Sequence, residues 1–445
     1  MYDKKKGTGK MRKISVAGAG HGGIAAGMLL ARKGYDVTVY ELKSREEMGY
    51  DWHDCMCIDR FEKIGLDTPG EKELIEFMPM AYYNPSRTVK LTPPHNTGSS
   101  LRYIDRKFLI NYLIDGAEKA GVKFVFGANI TGALLRGTTV CGIRAVIDGE
   151  KKEIFSDLVI DAAGVCSPVR RSLPSELGIM NEISEKETFY IYRAYYEKIT
   201  DELLDPKYTI YFFNDNRVGM DWLISDEKFV DVLIGTFGPM DMETALESVK
   251  NFRQAYPFIG EKKLRGGTKI EKIPLRRTLP VIVANGYAAV GDSAAMTEPL
   301  SGSGINLSID AGIILADTVI SAKSRNYTVS VLWDYQYKYF KKHGNGQLSA
   351  DYVKQMMSKL SFKELDGLFE GKVFTEKELA AGPSVSYTPS ELMEKAKSLV
   401  KFPGVALPLA SFGISSAFTS SVCSLMPEQY DKEKIDKWQK LYEKL

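Results

Sequence analysis

Two glycine-rich stretches, far apart in the sequence, combine residue types that bind nucleotides. The first is Gly18-Ala19-Gly20-His21-Gly22-Gly23, and it is followed by an acid, Glu41. Glycines allow a tight turn in which backbone N–H groups reach a pyrophosphate, and the start of a following helix favours the bound anion. Glu41 can accept hydrogen bonds from ribose hydroxyls, and it disfavours a 2′-phosphate. The pattern predicts a dinucleotide site in which His21 contacts phosphate or water, but it does not separate NAD from FAD.

The second stretch, "GDSAAMTEPLSGSGINLSIDA", separates the two cofactors. Gly291 ends a predicted strand, so that Asp292 can bind a ribityl or ribose hydroxyl. The run Gly302-Ser303-Gly304-Ile305-Asn306 brings the backbone close to a flat ring just before a helix begins. The positive end of that helix stabilises the negative charge of a reduced flavin. This stretch therefore favours FAD.

Hydrophobic periodicity predicts the elements that position these stretches. "KISVAGAG" and "DVTVYE" are predicted strands on either side of the helix "GGIAAGMLLARKG", which makes a βαβ unit. "DRKFLINYLIDGAEKAG" predicts an amphipathic helix, and Asp148-Gly149 predicts a hairpin turn that leads to a buried strand at Leu158 to Asp161. Runs of β-forming residues between Lys186 and Phe237 indicate an antiparallel sheet, and the sequence from Tyr327 onward is mostly helical.

These elements predict an α/β fold with a discontinuous Rossmann-like FAD-binding domain, a substrate domain built on an antiparallel sheet, and a helical C-terminal region. A chain of 445 residues is long enough for such an arrangement with a large shared core. The predicted boundaries are 1–12 for a disordered leader, 13–48, 101–178 and 274–345 for the FAD-binding domain, 49–100 and 179–273 for the substrate domain, and 346–445 for the C-terminal region.

The composition argues against several classes of function. Hydrophobic residues make up 44% and charged residues 26% of the chain, and the net charge of +2 argues against a nucleic-acid partner. The five cysteines fit neither a disulfide framework nor a zinc site, and the histidines lack metal-ligand spacing, so we expect no metal and a cytoplasmic protein. Proline and glycine interrupt the nearest candidate for a membrane span, Leu399 to Phe418. We expect this segment to pack as a lid or core segment, or to lie peripherally on a membrane surface.

The sequence resembles the FAD-dependent oxidoreductases of the p-hydroxybenzoate hydroxylase type, and within them the geranylgeranyl reductase family, over about Lys13 to Phe340. "DLVIDAAGVCSPVRR" is similar to the middle motif of that superfamily through Asp161, Gly164, Ser167 and Arg170. The third motif is matched by Asp292, Pro299, Gly302, Gly304 and Asn306. The resemblance implies noncovalently bound FAD, with Arg106 over the pyrophosphate and the backbone at Ile130 against the adenine.

The reductase family also shares a cysteine after the ribose-binding acid and an aromatic strand motif. Cys55 lies at the matching distance, and "GMDWLIS" with Trp222 resembles an altered form of the strand motif. The family's Cys-Gly is Cys55-Met56 here, and the Tyr and Phe-Pro around its Trp are missing. The resemblance implies that Cys55 donates a proton or positions an alkene, with an inert buried thiol as the alternative. We expect aromatic side chains to line an isoprenoid tunnel, with sheet packing as their alternative role: Trp222, Tyr190, Tyr192, Tyr211 and Phe213.

The implied function is FAD-dependent reduction of carbon–carbon double bonds in an isoprenoid or another apolar substrate, which includes lipids. No second GxGxxG is present for a resident nicotinamide, so electrons are expected from transiently bound NAD(P)H or from a small redox protein. A flavin-dependent monooxygenase is the first alternative, although the paired tryptophans of its halogenase branch are absent at "MDWLIS". A quinone-linked dehydrogenase lacks its cysteine-rich segment here, and a prenyl-binding escort protein would not need intact flavin motifs.

Overall fold

The computed structural model describes residues 11–95, 99–324, 326–381, 388, 390–391, 393–395, 397 and 419–445. Most of the predicted leader, residues 1–10, therefore lies outside the described residues, and so does the apolar stretch Leu399 to Phe418. Arg12, at the end of the predicted leader, donates a hydrogen bond to the hydroxyl of Tyr327 at 2.8 Å. Within the described residues, no helix combines the length and the apolar character needed to cross a membrane.

A six-stranded sheet holds the first glycine-rich stretch, and it confirms the predicted α/β fold. Its central strands are parallel, and Ile14 pairs in register with Leu158 on one side and with Val37 on the other. Only the outer pair, formed by the two strands nearest residue 290, is antiparallel. In spatial order the strands are β19 (Val283–Ala284), β20 (Tyr287–Ala289), β12 (Leu158–Asp161), β1 (Lys13–Ala17), β2 (Asp36–Glu41) and β8 (Lys123–Phe126).

Helices pack against this sheet through small residues. An ideal Cβ on Gly22 would lie 2.4 Å from the carbonyl oxygen of Ser308, and one on Gly312 would lie 2.3 Å from that of Gly22. Glycine at both positions therefore sets the close approach of the helices that follow the two glycine-rich stretches. The helices of this half are α1 (His21–Ala31), α2 (Asp59–Lys63), α3 (Arg106–Lys119), α4 (Pro168–Arg171) and α6 (Ile305–Ser321), whereas α5 (Met242–Ala255) packs on the second large sheet.

An eight-stranded sheet forms the second layer, and it is largely antiparallel, as predicted for residues 186–237. Two strands from the irregular segment before residue 100 extend it, and one of them pairs parallel with the strand that contains Tyr211. The spatial order is β17 (Ile259–Gly266), β13 (Thr188–Lys198), β16 (Phe229–Phe237), β15 (Met220–Ser225), β14 (Tyr208–Phe212), β5 (Met80–Tyr83) and β6 (Lys90–Leu91), with β18 (Glu271–Pro274) also paired to β13.

Two small sheets complete the strand layers. One contains the predicted hairpin, in which Asp148 and Gly149 adopt φ of 53° and 80°, as a type I′ turn requires. It consists of β9 (Asn129–Arg136), β10 (Thr139–Ile147) and β11 (Glu150–Phe155). The other joins β3 (His53–Cys57), β7 (Leu101–Asp105) and β4 (Ile75–Glu76) between the two large sheets.

The described residues after Tyr327 are mostly helical, as predicted. A π-helical segment at Phe340–Gly344 joins the first two helices into one continuous helix. Ser361 caps the third helix through a reciprocal bond with Glu364, which fixes where that helix begins. The helices are α7 (Val329–Tyr339), α8 (Asn345–Met357), α9 (Phe362–Glu370), α10 (Glu376–Ala381) and α11 (Lys432–Glu443), and residues 419–424 are also helical.

Candidate active site

One cavity of about 1410 Å³ runs between the two large sheets and reaches the C-terminal helices. At one end it is lined by both glycine-rich stretches, and at the other by aromatic and aliphatic side chains. Most of the predicted cofactor residues contribute to its wall. They are Gly18, Ala19, Gly20, His21, Gly22, Glu41, Arg106, Gly164, Gly291, Asp292, Pro299, Gly302, Gly304, Ile305 and Asn306.

The first glycine-rich loop presents backbone rather than side chains to the cavity. Gly18 adopts a φ of +84°, and an ideal Cβ there would lie 2.7 Å from the carbonyl oxygen of Ala162, so no other residue fits. The carboxylate of Glu41 accepts a hydrogen bond from the backbone N–H of Ala19 at 2.7 Å and another from Lys43 at 3.0 Å. This acid is thereby held at the edge of the loop, where a ribose would lie beside a pyrophosphate.

The second glycine-rich stretch turns just before α6. The carboxylate of Glu298 accepts hydrogen bonds from the backbone N–H groups of Leu300 (3.1 Å) and Ser301 (2.6 Å), and Gly302 has a φ of +72°. Gly304 is the N-cap residue of α6 and gives the helix no side-chain cap. The N–H groups of the first turn are therefore available for a ligand acceptor, as the positive end of a helix provides.

Asp161 lies beneath the cavity wall rather than on it. Its carboxylate is fully buried and accepts hydrogen bonds from the hydroxyls of Ser167 (2.6 Å), Tyr287 (2.9 Å) and Ser293 (3.0 Å). Arg170 donates to the carbonyl oxygen of Ser293 at 2.6 Å. The middle motif thus ties the third motif to the sheet, and the prediction that Asp161 contacts the cofactor is corrected to this supporting position.

Gly23 lies away from the cavity wall, contrary to its predicted place against the cofactor. The side chain of Ile130 is buried in the core, so the contact of its backbone with the adenine stays a prediction. An ideal Cβ on Gly23 would lie 2.5 Å from the Cβ of Ala162 and 2.8 Å from a methyl of Val16, so this glycine lets α1 pack on the sheet. Ile130 is a buried residue of β9 that pairs in register with Ala145. Gly23 and the side chain of Ile130 serve packing because their positions face the core.

A chain of charges links the cofactor end of the cavity to the other end. The guanidinium of Arg106 pairs with Asp54 and lies over the ring of Tyr50, 4.9 Å from its centroid. Asp54 also accepts from Arg193 at 3.0 Å, and Arg193 pairs with the buried Asp231 at 2.6 Å. Burial opposes ionisation of Asp54, but the two guanidiniums outweigh it and lower the pKa of this carboxyl.

Two nitrogens at the cofactor end have no hydrogen-bond partner among the described residues. They are Nε of Arg106 and Nε2 of His21, and both residues line the cavity. Burial, with the nearby Arg106 charge, lowers the pKa of His21 to about 3, so its ring is neutral. A glycine cradle, an uncapped helix start and unpaired nitrogens together fit a large anionic cofactor such as FAD.

Cys55 lies on the cavity wall where the two ends meet. Its strand β3 is held to the second glycine-rich stretch, because the side-chain oxygen of Asn306 accepts a hydrogen bond from the backbone N–H of Cys57 at 2.9 Å. Burial, with the neighbouring Cys57 and Asp54, raises the pKa of the Cys55 thiol to about 12. The thiol is therefore protonated at neutral pH and is suited to hold a proton rather than to act as a nucleophile.

The predicted substrate residues divide between two faces of the large sheet. Trp222 and Phe213 line the cavity. Tyr190, Tyr192 and Tyr211 do not, because they lie in the core between the sheet and α5. The hydroxyl of Tyr192 bonds that of Tyr196 at 2.6 Å, and Tyr211 donates to the hydroxyl of Tyr256 at 2.6 Å. The prediction is wrong for these three tyrosines because successive strand residues face opposite sides.

The alternate residues of the same strand line the cavity instead, and sequence reasoning missed them. They are Phe189, Ile191 and Arg193 of β13. Arg193 could have indicated this face from the sequence, because a single charged residue in a run of β-forming residues needs charged partners, here Asp54 and Asp231. The aliphatic far end was also missed, because it comes from the C-terminal helices: Val353, Met357, Leu360, Leu365, Leu368 and Val373.

Comparison with known proteins agrees with this geometry. The FAD binding domain family matches residues 11–228. Digeranylgeranylglycerophospholipid reductase 1 of Methanococcoides burtonii is 27% identical over 374 residues, which cover 80% of this chain and 86% of that protein. The digeranylgeranylglycerophospholipid reductase of Sulfolobus acidocaldarius is 23% identical over 92% of this chain and 90% of its own length. The chain is an FAD-dependent oxidoreductase, and it resembles these lipid reductases.

Solved structures show the same fold. A geranylgeranyl bacteriochlorophyll reductase-like protein of Thermoplasma acidophilum superposes with a TM-score of 0.70 at 18% identity, over 90% of this chain and 100% of that one. The myxobacterial chondrochloren halogenase CndH superposes with a TM-score of 0.60 at 15% identity, over 98% of this chain and 97% of that one. Reductases and halogenases therefore share this fold, so the fold does not decide between their reactions.

Proposed function

We propose that this oxidoreductase reduces carbon–carbon double bonds of an isoprenoid or another apolar substrate. The observation that carries the proposal is the position of Cys55 on the wall of the cavity, between the glycine-lined end and an apolar space. The related proteins named as reductases of digeranylgeranylglycerophospholipid support the same substrate class. A monooxygenase would not need a buried proton donor at this position.

The residues at the glycine-lined end fit FAD, and each has a distinct task in the proposal. The backbone of Gly18–Gly22 and the side chain of Arg106 hold the pyrophosphate, and Glu41 holds the ribose. The N-terminus of α6, at Ile305 and Asn306, would stabilise the isoalloxazine ring, and Asp292 would bind the ribityl chain. Once bound FAD has been reduced, it would supply hydride to the alkene.

Cys55 holds the proton that completes the reduction. Its thiol lies among apolar and aromatic side chains that exclude water, and it is kept there by the bond from Asn306 to β3. Because the pKa of the thiol is raised to about 12, the group enters the reaction protonated. Trp222 and the apolar side chains beyond it orient the substrate so that one double bond reaches this thiol.

The division of the chain follows from the same proposal. Residues 13–48, 101–178 and 274–345 hold the cofactor, residues 49–100 and 179–273 hold the substrate, and described residues of the region 346–445 close the far end. NAD(P)H or a small redox protein supplies the electrons, and a peripheral membrane contact would let a cytoplasmic enzyme reach lipid substrates. The cavity supports the division of the chain into three parts, because residues of all three parts line it.

The test is an anaerobic reaction of the dithionite-reduced, FAD-loaded protein with polyprenyl lipids, followed by mass spectrometry. We expect products that have gained two hydrogen atoms per reduced double bond. Absence of such products across a cell lipid extract contradicts the proposal. Consumption of oxygen and NAD(P)H that depends on an aromatic substrate would instead favour the monooxygenase alternative.

A further inference from the structure

Besides the nitrogens of Arg106 and His21 at the cofactor end, two hydrogen-bond donors in the cavity wall lack a partner among the described residues. They are the hydroxyl of Tyr103 and the indole Nε1–H of Trp222. Tyr103 is only 7% exposed, and burial raises its pKa, so its hydroxyl keeps its proton and can donate. Buried polar groups in native proteins almost always have a partner, because an unpaired donor costs free energy. Because both residues line the cavity, a bound ligand is a candidate acceptor for both donors.

Both donors lie beside the thiol that the proposed reaction uses. Tyr103 pairs in register with Cys55 across the antiparallel strands β7 and β3, so the two side chains share one face. Trp222 and Cys55 pack against the same buried cluster, in which Tyr208 meets the Trp222 ring edge-on with 5.8 Å between centroids. An acceptor bound there therefore lies close to the double bond that is reduced.

The charges around this point favour a neutral acceptor. Arg193 lies over the Trp222 ring at 5.1 Å, but its guanidinium is already engaged by Asp231 and Asp54. Asp54 is shared in turn with Arg106. Because Asp231 and Asp54 already match the charge of Arg193, the network offers no net attraction to a phosphate or a carboxylate beside Trp222, and Arg106 is left to the cofactor end.

We propose that Tyr103 and Trp222 bind a neutral oxygen of the substrate, such as a hydroxyl, ether, ester or carbonyl, next to the double bond served by Cys55. The substrate class is then an oxygen-bearing isoprenoid rather than a pure hydrocarbon. This inference rests on the proposed function and refines the substrate of that same site. An isoprenoid without such an oxygen leaves both donors unpaired on binding.

The test is equilibrium binding by calorimetry to the oxidised, FAD-loaded protein, in which no turnover occurs. The probes are geranylgeraniol, the matched hydrocarbon that lacks its hydroxyl, and geranylgeranyl monophosphate, each in the same detergent. We expect geranylgeraniol to bind roughly three- to ten-fold more tightly than the hydrocarbon, as one or two neutral hydrogen bonds provide. The monophosphate is expected to bind no more tightly than the alcohol.

Tyr103→Phe and Trp222→Phe remove one donor each and keep an aromatic ring. Each is expected to weaken geranylgeraniol roughly three- to ten-fold, to leave the hydrocarbon within about two-fold, and to leave FAD affinity unchanged. Tyr192→Phe is the matched control, because its hydroxyl lies on the opposite face of the sheet and bonds Tyr196. It is expected to change none of these affinities.

Five results would overturn the inference, and the first four concern the alcohol, the hydrocarbon and FAD. They are equal binding of alcohol and hydrocarbon, binding of neither, equal weakening of both by Tyr103→Phe, and a loss of FAD affinity in that variant. Much tighter binding of the monophosphate that depends on Tyr103 would also overturn it.

Turnover separates this inference from the proposed function. If the binding pattern holds but reduced protein forms no hydrogenated product, the acceptor site stands and the reductase proposal fails. If both probes are reduced with the same KM by wild type and Tyr103→Phe, the reductase proposal stands and the acceptor site fails.

Discussion

The two ends of the cavity are built by different means. At the cofactor end, the cavity wall is mainly backbone. The loop Gly18–Gly22 and the first turn of α6 offer N–H groups, and the glycines leave room for a ligand to approach them. At the substrate end, the ligand meets side chains of one face of a sheet, and the opposite face is equally aromatic. A site made of backbone depends on a short local sequence, whereas a site made of side chains depends on which face the fold turns inward.

The largest expected effect falls where the two ends meet. Cys55→Ala removes the protonated thiol, so the rate of alkene reduction should fall by about 10²- to 10⁴-fold, the usual worth of a positioned general acid. FAD binding should be retained, because the thiol lies beyond the glycine loop. Single-turnover reduction followed by mass spectrometry measures the rate, and flavin absorbance measures the cofactor content.

The control is Cys141→Ser, a half-buried cysteine in the hairpin sheet whose thiol donates to the carbonyl oxygen of Leu134. It should keep the wild-type rate. The pH profile adds a second check: since the pKa of Cys55 is raised to about 12, activity should show no loss from thiol ionisation between neutral pH and about pH 11. Full activity of Cys55→Ala would remove this residue from the mechanism, whereas a limb near pH 9 that disappears in Cys55→Ala would contradict only the raised pKa of the thiol.

Adding a single methyl group at the cofactor end should lower both the stability of the protein and its flavin content. In Gly22→Ala the new Cβ would lie 2.4 Å from the carbonyl oxygen of Ser308, so α1 and α6 must move apart at the cost of about 3 kcal/mol of stability. The purified variant should melt at a lower temperature and carry little flavin. Gly346→Ala, a helical glycine with open space around it, should instead be neutral or slightly stabilising. Equal behaviour of the two variants would contradict the close-approach argument.

Arg106 tests the only charged side chain that the proposal assigns to the pyrophosphate. Arg106→Gln should raise the Kd for FAD by about 10- to 100-fold, since a charge-assisted hydrogen bond is lost. Calorimetric titration of flavin-free protein measures this change. Lys107→Gln, its exposed neighbour paired with Asp51 at 3.3 Å, should leave the Kd unchanged. An unchanged Kd in Arg106→Gln would mean that Asp54 keeps this guanidinium when FAD binds.

The smallest effect is expected from the wrong face of the sheet. Tyr211→Phe removes a hydroxyl that donates to Tyr256 on the α5 side, so stability should fall by about 1 kcal/mol while the KM for substrate stays the same. Phe212→Ala, on the next residue and facing the cavity, should raise the KM. Denaturant melts and steady-state kinetics on both variants decide the point. A changed KM in Tyr211→Phe would restore that tyrosine to the substrate wall.

The same contrast explains what the sequence could predict. The βαβ unit, the glycine loop, Glu41 and the turn before α6 were predicted correctly in position, because glycine spacing and strand length fix main-chain geometry locally. Asp161 and Gly23 were identified as part of the site, yet they support it from below, since a motif marks a segment and not the direction of each side chain.

The substrate wall was only half predicted for a definite physical reason. Strand β13 reads TFYIYRAYYEK, and its residues from Thr188 to Tyr196 are buried on both faces, so hydrophobic alternation carries no information about which face meets the cavity. The aliphatic far end depends on α8 and α9, which are distant in sequence and have no motif. Only tertiary packing brings Leu365 and Trp222 into one space.

The bond between Asn306 and the backbone of Cys57 has a consequence for protein engineering. It joins the start of α6 to strand β3, which bears Cys55, so neither segment is an independent module. A chimera that imports a relative's cysteine strand without a matching amide at position 306 would leave that strand's N–H unmatched and its thiol poorly aimed. Swaps intended to change substrate preference should therefore exchange both pieces together.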